Sequence, residues 1–232
     1  GLSFHNTTIG KAKDDYRSFI VVKMKLLKED LDEGLSVIQN ILLNTNFDMI
    51  DNIKKIIKSA KIKGEYELQN NTHYYSIFYS GSNLFPALYV DDLTGGIRYF
   101  RFLTEIDAKL EQDADLIIEN LKKTANMIFN NQNMEVAVGC ENEDFPIFKN
   151  KILTFHMPEK SFVKENYKFD LYPQKNAFTS TSGIVYNITS FDFKEQNIAY
   201  HGKFNVLHTI INLEYLWNKI RVQGGAYGCG CK

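Results

Sequence analysis

The sequence predicts an α+β fold on three observations. Two stretches rich in β-branched and aromatic residues open the chain, and a series of apolar stripes at helical spacing follows them. Later, two alternating stretches are each followed by a further helical stripe, without the regular strand and helix alternation of a parallel α/β sheet. At 232 residues, 44% hydrophobic and 24% charged, the chain has material for one large domain or for one domain and part of a second.

Residues 2–8 and 18–27 carry the strand pattern and are separated by the polar stretch 10–15, so a hairpin or small sheet is expected first. Glu29 and Asp30 suit the first turn of a helix, in which Leu31, Leu35, Ile38 and Leu42 recur at helical spacing until residues 44–46. Asp48 is placed to cap a second helix. Its Ile50, Ile53, Ile56, Ile57 and Ala60 form an apolar stripe opposite Lys54, Lys55, Lys58 and Lys61, which are expected on a solvated face. Gly81, Pro86 and the Thr94, Gly95, Gly96 run break the aromatic-rich region 74–106 into several short helices.

A longer helix is expected over 112–130, a strand over 134–138 and an amphipathic helix over 147–155. From Met157 and Pro158 onward the pattern weakens, which places the domain boundary there. The expected organisation is an α+β unit over 1–157, a linker over 158–175 and the incomplete start of another unit over 176–232. In that last part residues 181–193 resemble one strand or a bent pair, and 205–220 a helix that ends before Gly224 and Gly225. A first residue of Gly, with no initiator Met and no signal-like segment, marks the chain as an expected internal piece of a longer protein.

A formal net charge of -1 supplies no cationic excess for phosphates, which argues against a nucleic-acid binder. No apolar run approaches the roughly 18–20 residues of a membrane span. The three cysteines, Cys140, Cys229 and Cys231, form an odd set whose last two members are too close to pair, which suits a reducing, intracellular compartment. On that ground the acceptor patterns at Asn6, Asn70 and Asn187 are discounted as glycosylation sites.

A peptidase zinc helix needs two His one turn apart with a Glu beside them. None of the five His is so placed: the nearest stretch, His156 to Lys160, has Lys in the place of the second ligand and a helix-disrupting Pro158. Cys229 and Cys231 lack a second cysteine pair, and residues 225–232 lack the Lys directly after Gly that a phosphate loop requires. No metal ligand is expected in this chain. What remains is Arg221, at the end of an apolar helix, and Tyr227, beyond Gly224 and Gly225. An Arg and a phenol presented together are two donors able to meet a carbonyl oxygen on which negative charge develops. Helix capping by the Arg and packing of the Tyr are the ordinary alternative.

Residues 216–228, Leu-Trp-Asn-Lys-Ile-Arg-Val-Gln-Gly-Gly-Ala-Tyr-Gly, resemble the signature of the C-terminal half of insulinase (pitrilysin) family zinc metallopeptidases, in the presequence-protease, falcilysin-like branch. Residues 200–207 are similar to the sequence that precedes that helix in the family, and residues 1–4 with 16–19 to the opening sheet of its third domain. The resemblance implies a metallohydrolase-type α+β domain, with an antiparallel or mixed sheet and helices on one face. It further implies two halves that close around an unstructured peptide, with zinc and the catalytic Glu in an N-terminal half outside this chain. By matching position, Arg221 and Tyr227 become assisting catalytic residues that stabilise the transition state, and Arg221, Gly224, Gly225 and Tyr227 become substrate-binding. The implied partners are the peptide and the zinc-bearing half. The isolated chain is expected to be inactive, and an organelle matrix or bacterial cytosol is the implied location. The rival reading is a non-catalytic scaffold or peptide-binding subunit of the same superfamily.

Overall fold

The structure, a computed structural model, describes residues 1–13, 15–160, 167–179 and 183–231. Its contacts divide the chain into two units, Gly1–Ser190 and a second from Phe191 onward.

The first unit is α+β, as predicted. Strands β1 (Leu2–Ala12) and β2 (Asp15–Met24) pair antiparallel, with Phe4 opposite Val22 and an irregularity between Gly10 and Ala12. β1 runs further than its pattern indicates, and β2 begins and ends earlier. A 3-10 turn (Lys28–Asp30) leads into α1 (Leu31–Asn44), and α2 (Ile50–Asn70) follows. Asp48 does not cap α2: Met49 holds the cap position without a side-chain bond, and the Asp48 carboxylate accepts from Lys122 at 2.5 Å. Of the four lysines expected on a solvated face, two are paired. Lys54 reaches Glu111 at 2.8 Å and Lys61 reaches Asp107 at 2.6 Å. The Lys54 hydrogen bond, then the Lys54 and Lys58 charges, hold the Glu111 carboxyl below its ordinary value.

Three short helices follow, α3 (Thr72–Ser82), α4 (Pro86–Gly95) and α5 (Ile97–Lys109). Pro86 sits in the first turn of α4, where its missing N–H costs no helical bond. α4 packs against both strands and against α3 and α5. The junction of these helices is built on a charge. Asp92 is 1% exposed, and its Oδ2 accepts from Arg98 Nη1 at 2.5 Å while its Oδ1 accepts the Ile97 N–H at 2.8 Å. Arg98 also donates to Ser82 Oγ at 2.6 Å and Asn83 Oδ1 at 2.7 Å. Its guanidinium lies 4.5 Å from the ring centroids of both Tyr79 and Tyr89. A buried carboxylate survives when it is paired and hydrogen-bonded, and both conditions hold here. Gly96 leaves room for it, since a Cβ there would collide with the Asp92 carboxylate.

Helix α6 (Ala114–Ile128) lies where periodicity places it and is closed by buried Asn130, whose Oδ1 accepts the N–H groups of Gln132 and Asn133 at 3.1 Å. Helix α7 (Phe145–Leu153) also matches its pattern. The strand expected over 134–138 does not form. Alternation becomes a strand only against a ladder partner, and the described sheet has two strands; Glu135 meets β2 through its side chain, as an ion pair with Arg17. The stretch read as a linker carries side chains into the first unit. Tyr16 donates to the Tyr167 carbonyl at 2.8 Å, Phe169 lies 4.7 Å from the Tyr89 ring, and Phe178 meets Tyr79 edge-on at 4.9 Å. Burial raises the Tyr16 hydroxyl above its ordinary pKa.

The expected strand over 181–193 lies partly outside the described residues, and 183–192 take no strand. The second unit opens with a 3-10 turn (Phe193–Gln196), in which Asp192 Oδ1 accepts the Lys194 N–H at 3.0 Å and Asn197 turns the chain at φ 56°. Phe193, Tyr200 and Phe204 stack, the last two nearly parallel at 12°. Helix α8 (Lys203–Ile210) then continues as a π-helical segment (Ile211–Gln223) that stops before Gly224 and Gly225, as expected.

Candidate functional site

The wider winding of the π segment has a local cause in its asparagines. In an α-helix each N–H bonds the carbonyl four residues back. The side-chain amide of Asn212 takes the His208 carbonyl at 2.9 Å, and that of Asn218 takes the Glu214 carbonyl at 2.7 Å. Side chains that compete for ladder acceptors bend or unwind a helix, and single turns of π-helix recur at functional sites.

At the end of this segment the chain reverses. Gly225 adopts φ 71°, in the left-handed region that costs other residues about 1–2 kcal/mol. The N–H of Gly225 bonds the Arg221 carbonyl and that of Ala226 the Ile220 carbonyl, each at 3.1 Å. Gly224 is required for a different reason: a Cβ there would stand 2.7 Å from the Ile220 carbonyl oxygen and 3.1 Å from that of Lys219. The two glycines expected to permit close backbone approach therefore do so against their own helix.

Arg221 and Tyr227 are brought together. Arg221 Nη1 donates to the Tyr227 carbonyl and, at 3.3 Å, to that of Ala226. The guanidinium lies 5.0 Å from the Trp217 ring and 5.8 Å from the Tyr227 ring, within cation–π range of both. No carboxylate among the described residues pairs with Arg221, so its charge is uncompensated there and its Nε and Nη2 donors stay open. Tyr227 is 86% exposed. Beyond it the chain is fastened again: Asn212 Nδ2 donates to the Cys231 carbonyl at 3.0 Å and Asn212 Oδ1 accepts the Cys231 N–H at 2.7 Å. The outcome is a loop pinned at both ends that presents a phenol to solvent. Trp217 and Asn212 were not singled out by the sequence. Trp217 stands four residues before Arg221, a spacing that places the two on one helix face, whereas the pairing of Asn212 with Cys231 carries no sequence signal.

The histidines are engaged separately. His201 Nδ1 accepts the Lys203 N–H at 3.1 Å ahead of α8, and His208 Nε2 lies 3.1 Å from the Asn212 amide. Among the described residues no three His, Cys, Asp or Glu side chains converge as a metal site, no helix is long and apolar enough to cross a membrane, and all three cysteines are free.

Residues 1–106 match a family described as peptidase-associated, attached to subfamily C of the insulinase-type metallopeptidases. Over 98% of its length the chain is 27% identical to the protein HypA of Clostridium perfringens, covering 24% of that protein. Over 88% it is 26% identical to the mitochondrial presequence protease of Yarrowia lipolytica, and over its whole length 21% identical to the chloroplastic/mitochondrial presequence protease 1 of Arabidopsis thaliana. It covers 21% and 22% of these two, so the chain spans about a quarter or less of the curated relatives it matches. With an α+β fold, the family match over its sheet and first helices, and presequence proteases among its relatives, the chain belongs to the insulinase family of peptidases, in its presequence-protease-like branch.

Proposed function

We propose that this chain is the part of a zinc metalloendopeptidase that supplies transition-state donors to an unstructured peptide, with Tyr227 and Arg221 as those donors. The observation that carries the reading is the loop itself: a phenol 86% exposed beside a guanidinium that has no carboxylate partner among the described residues. A scissile carbonyl gains negative charge as a peptide bond is attacked, and donors aimed at that oxygen lower the barrier. Tyr227 Oη donates to it. Arg221, with Nη1 committed to the loop carbonyls, offers Nε and Nη2 to the same oxygen or to a neighbouring peptide carbonyl. Gly224 and Gly225 are substrate-binding in the sense that they let the loop run close beneath the peptide.

The donor set of this chain does not fit zinc, since its histidines sit in unrelated hydrogen bonds and no third ligand joins them among the described residues. The reading therefore assigns zinc to an N-terminal half outside this chain, and predicts that the 232-residue chain alone cleaves no peptide. Relatives named as mitochondrial and chloroplastic, and others from bacteria, favour an organelle matrix or a bacterial cytosol, a setting in which free Cys140, Cys229 and Cys231 persist.

Substituting Tyr227→Phe in the peptidase that contains the zinc-bearing half tests this directly. Loss of the donor is expected to lower kcat by about 10²–10³, equivalent to roughly 2.7–4 kcal/mol. Unchanged turnover would remove Tyr227 from the chemistry and leave the scaffold reading in possession.

A further inference from the structure

We infer that Trp217 and Asn212 are positioning residues for Tyr227, acting at the two fastenings of its loop, a proposal that rests on the reading of Tyr227 as a donor. Neither residue needs to touch the peptide. Trp217 is half-exposed, and the only charge stacked on it among the described residues is Arg221, at 5.0 Å. Arg221 holds the near end of the loop through the Ala226 and Tyr227 carbonyls, so the indole limits where that guanidinium stands and, through it, where the Tyr227 backbone runs. Asn212 does the same at the far end with both atoms of its amide, as donor to the Cys231 carbonyl and acceptor from the Cys231 N–H. Between these points lie Gly225, Gly228 and Gly230, which add no stiffness of their own. A phenol on so flexible a loop approaches a carbonyl productively only if both ends are held, because small displacements of a donor cost large factors in rate.

Two readouts separate this role from a merely structural one. In the 232-residue chain, hydrogen exchange followed by NMR should show the Cys231 amide losing protection several-fold in Asn212→Ala, with the amides of α8 unaltered. In the zinc-bearing peptidase, Trp217→Ala should lower kcat by about two- to fivefold with KM unchanged, the size expected for an exposed cation–π contact, and Trp217→Phe should restore it. In an Arg221→Met background Trp217→Ala should add nothing. Additive losses in that cycle, a KM effect without a kcat effect, or unaltered Cys231 exchange would each overturn the positioning role. If Tyr227→Phe slows cleavage while Trp217→Ala does not, the positioning role falls and the donor role stands. If Tyr227→Phe leaves cleavage unaltered, the donor role falls, and with it the purpose assigned to Trp217 and Asn212.

Discussion

Arg98 and Arg221 are the same side chain in two similar settings, each lying between a pair of aromatic rings and each bonded to oxygen acceptors. They differ in what is left over. Arg98 lies 4.5 Å from both of its rings, and its partners include the buried carboxylate of Asp92, so its charge is neutralised and its donors are directed inward. Arg221 stacks more loosely, bonds only neutral backbone carbonyls among the described residues and keeps its charge beside an exposed phenol. A guanidinium whose charge and donors are fully used inside the protein holds helices together. One with charge and donors to spare on the surface is available to a ligand.

The comparison breaks most visibly at the buried member. Arg98→Met strands the Asp92 carboxylate without its cation, and removal of one partner of a buried pair costs about 3–5 kcal/mol. A urea titration of the variant should show that loss, whereas Arg221→Met, at a site without a buried partner, should leave the unfolding midpoint close to wild type. A smaller effect belongs to the glycines of the loop. Gly225→Ala places a side chain at φ 71° and is expected to cost about 1–2 kcal/mol locally, seen as faster hydrogen exchange at residues 224–227 without loss of the first unit.

The smallest effect is on α2. Glu111 has its pKa lowered by Lys54, so the stabilisation from this pair is present above the ordinary carboxylate value of 4.5 and is lost as pH falls through the lower folded value. The carboxylate is solvent-exposed, and such pairs contribute little. Glu111→Gln should therefore alter thermal stability barely at pH 7 and not at all at a pH where wild-type Glu111 is already protonated. A large shift at pH 7 would mean that Glu111 has partners other than Lys54 and Lys58.

How far the sequence could see follows the same divide. Helical periodicity located α1, α2, α6 and α7 because each buries a stripe on its neighbours, and strand composition located β1 and β2. The Arg98 junction was not visible: Ser82, Asn83, Asp92 and Arg98 are polar residues at unremarkable spacings, and only the packing of α3 on α4 and α5 reveals that they converge. Residues 134–138 misled, since alternation reports a side-chain pattern and not the presence of a ladder partner. The π register of residues 211–223 escaped too, because it depends on where the Asn212 and Asn218 amides find acceptors. Arg221, Gly224, Gly225 and Tyr227 were legible together, since local spacing alone determines that a residue in the last helical turn meets a loop that reverses at two glycines.

The difference between the two arginines is tested most directly by Arg221→Met in the peptidase that contains the zinc-bearing half, with turnover of a long unstructured peptide and the unfolding midpoint measured on the same sample. A donor with charge to spare predicts an unmoved midpoint and a kcat lowered by about 10²–10³. Wild-type turnover, or a loss of turnover that merely tracks a loss of folded protein, would place Arg221 beside Arg98 as a structural residue.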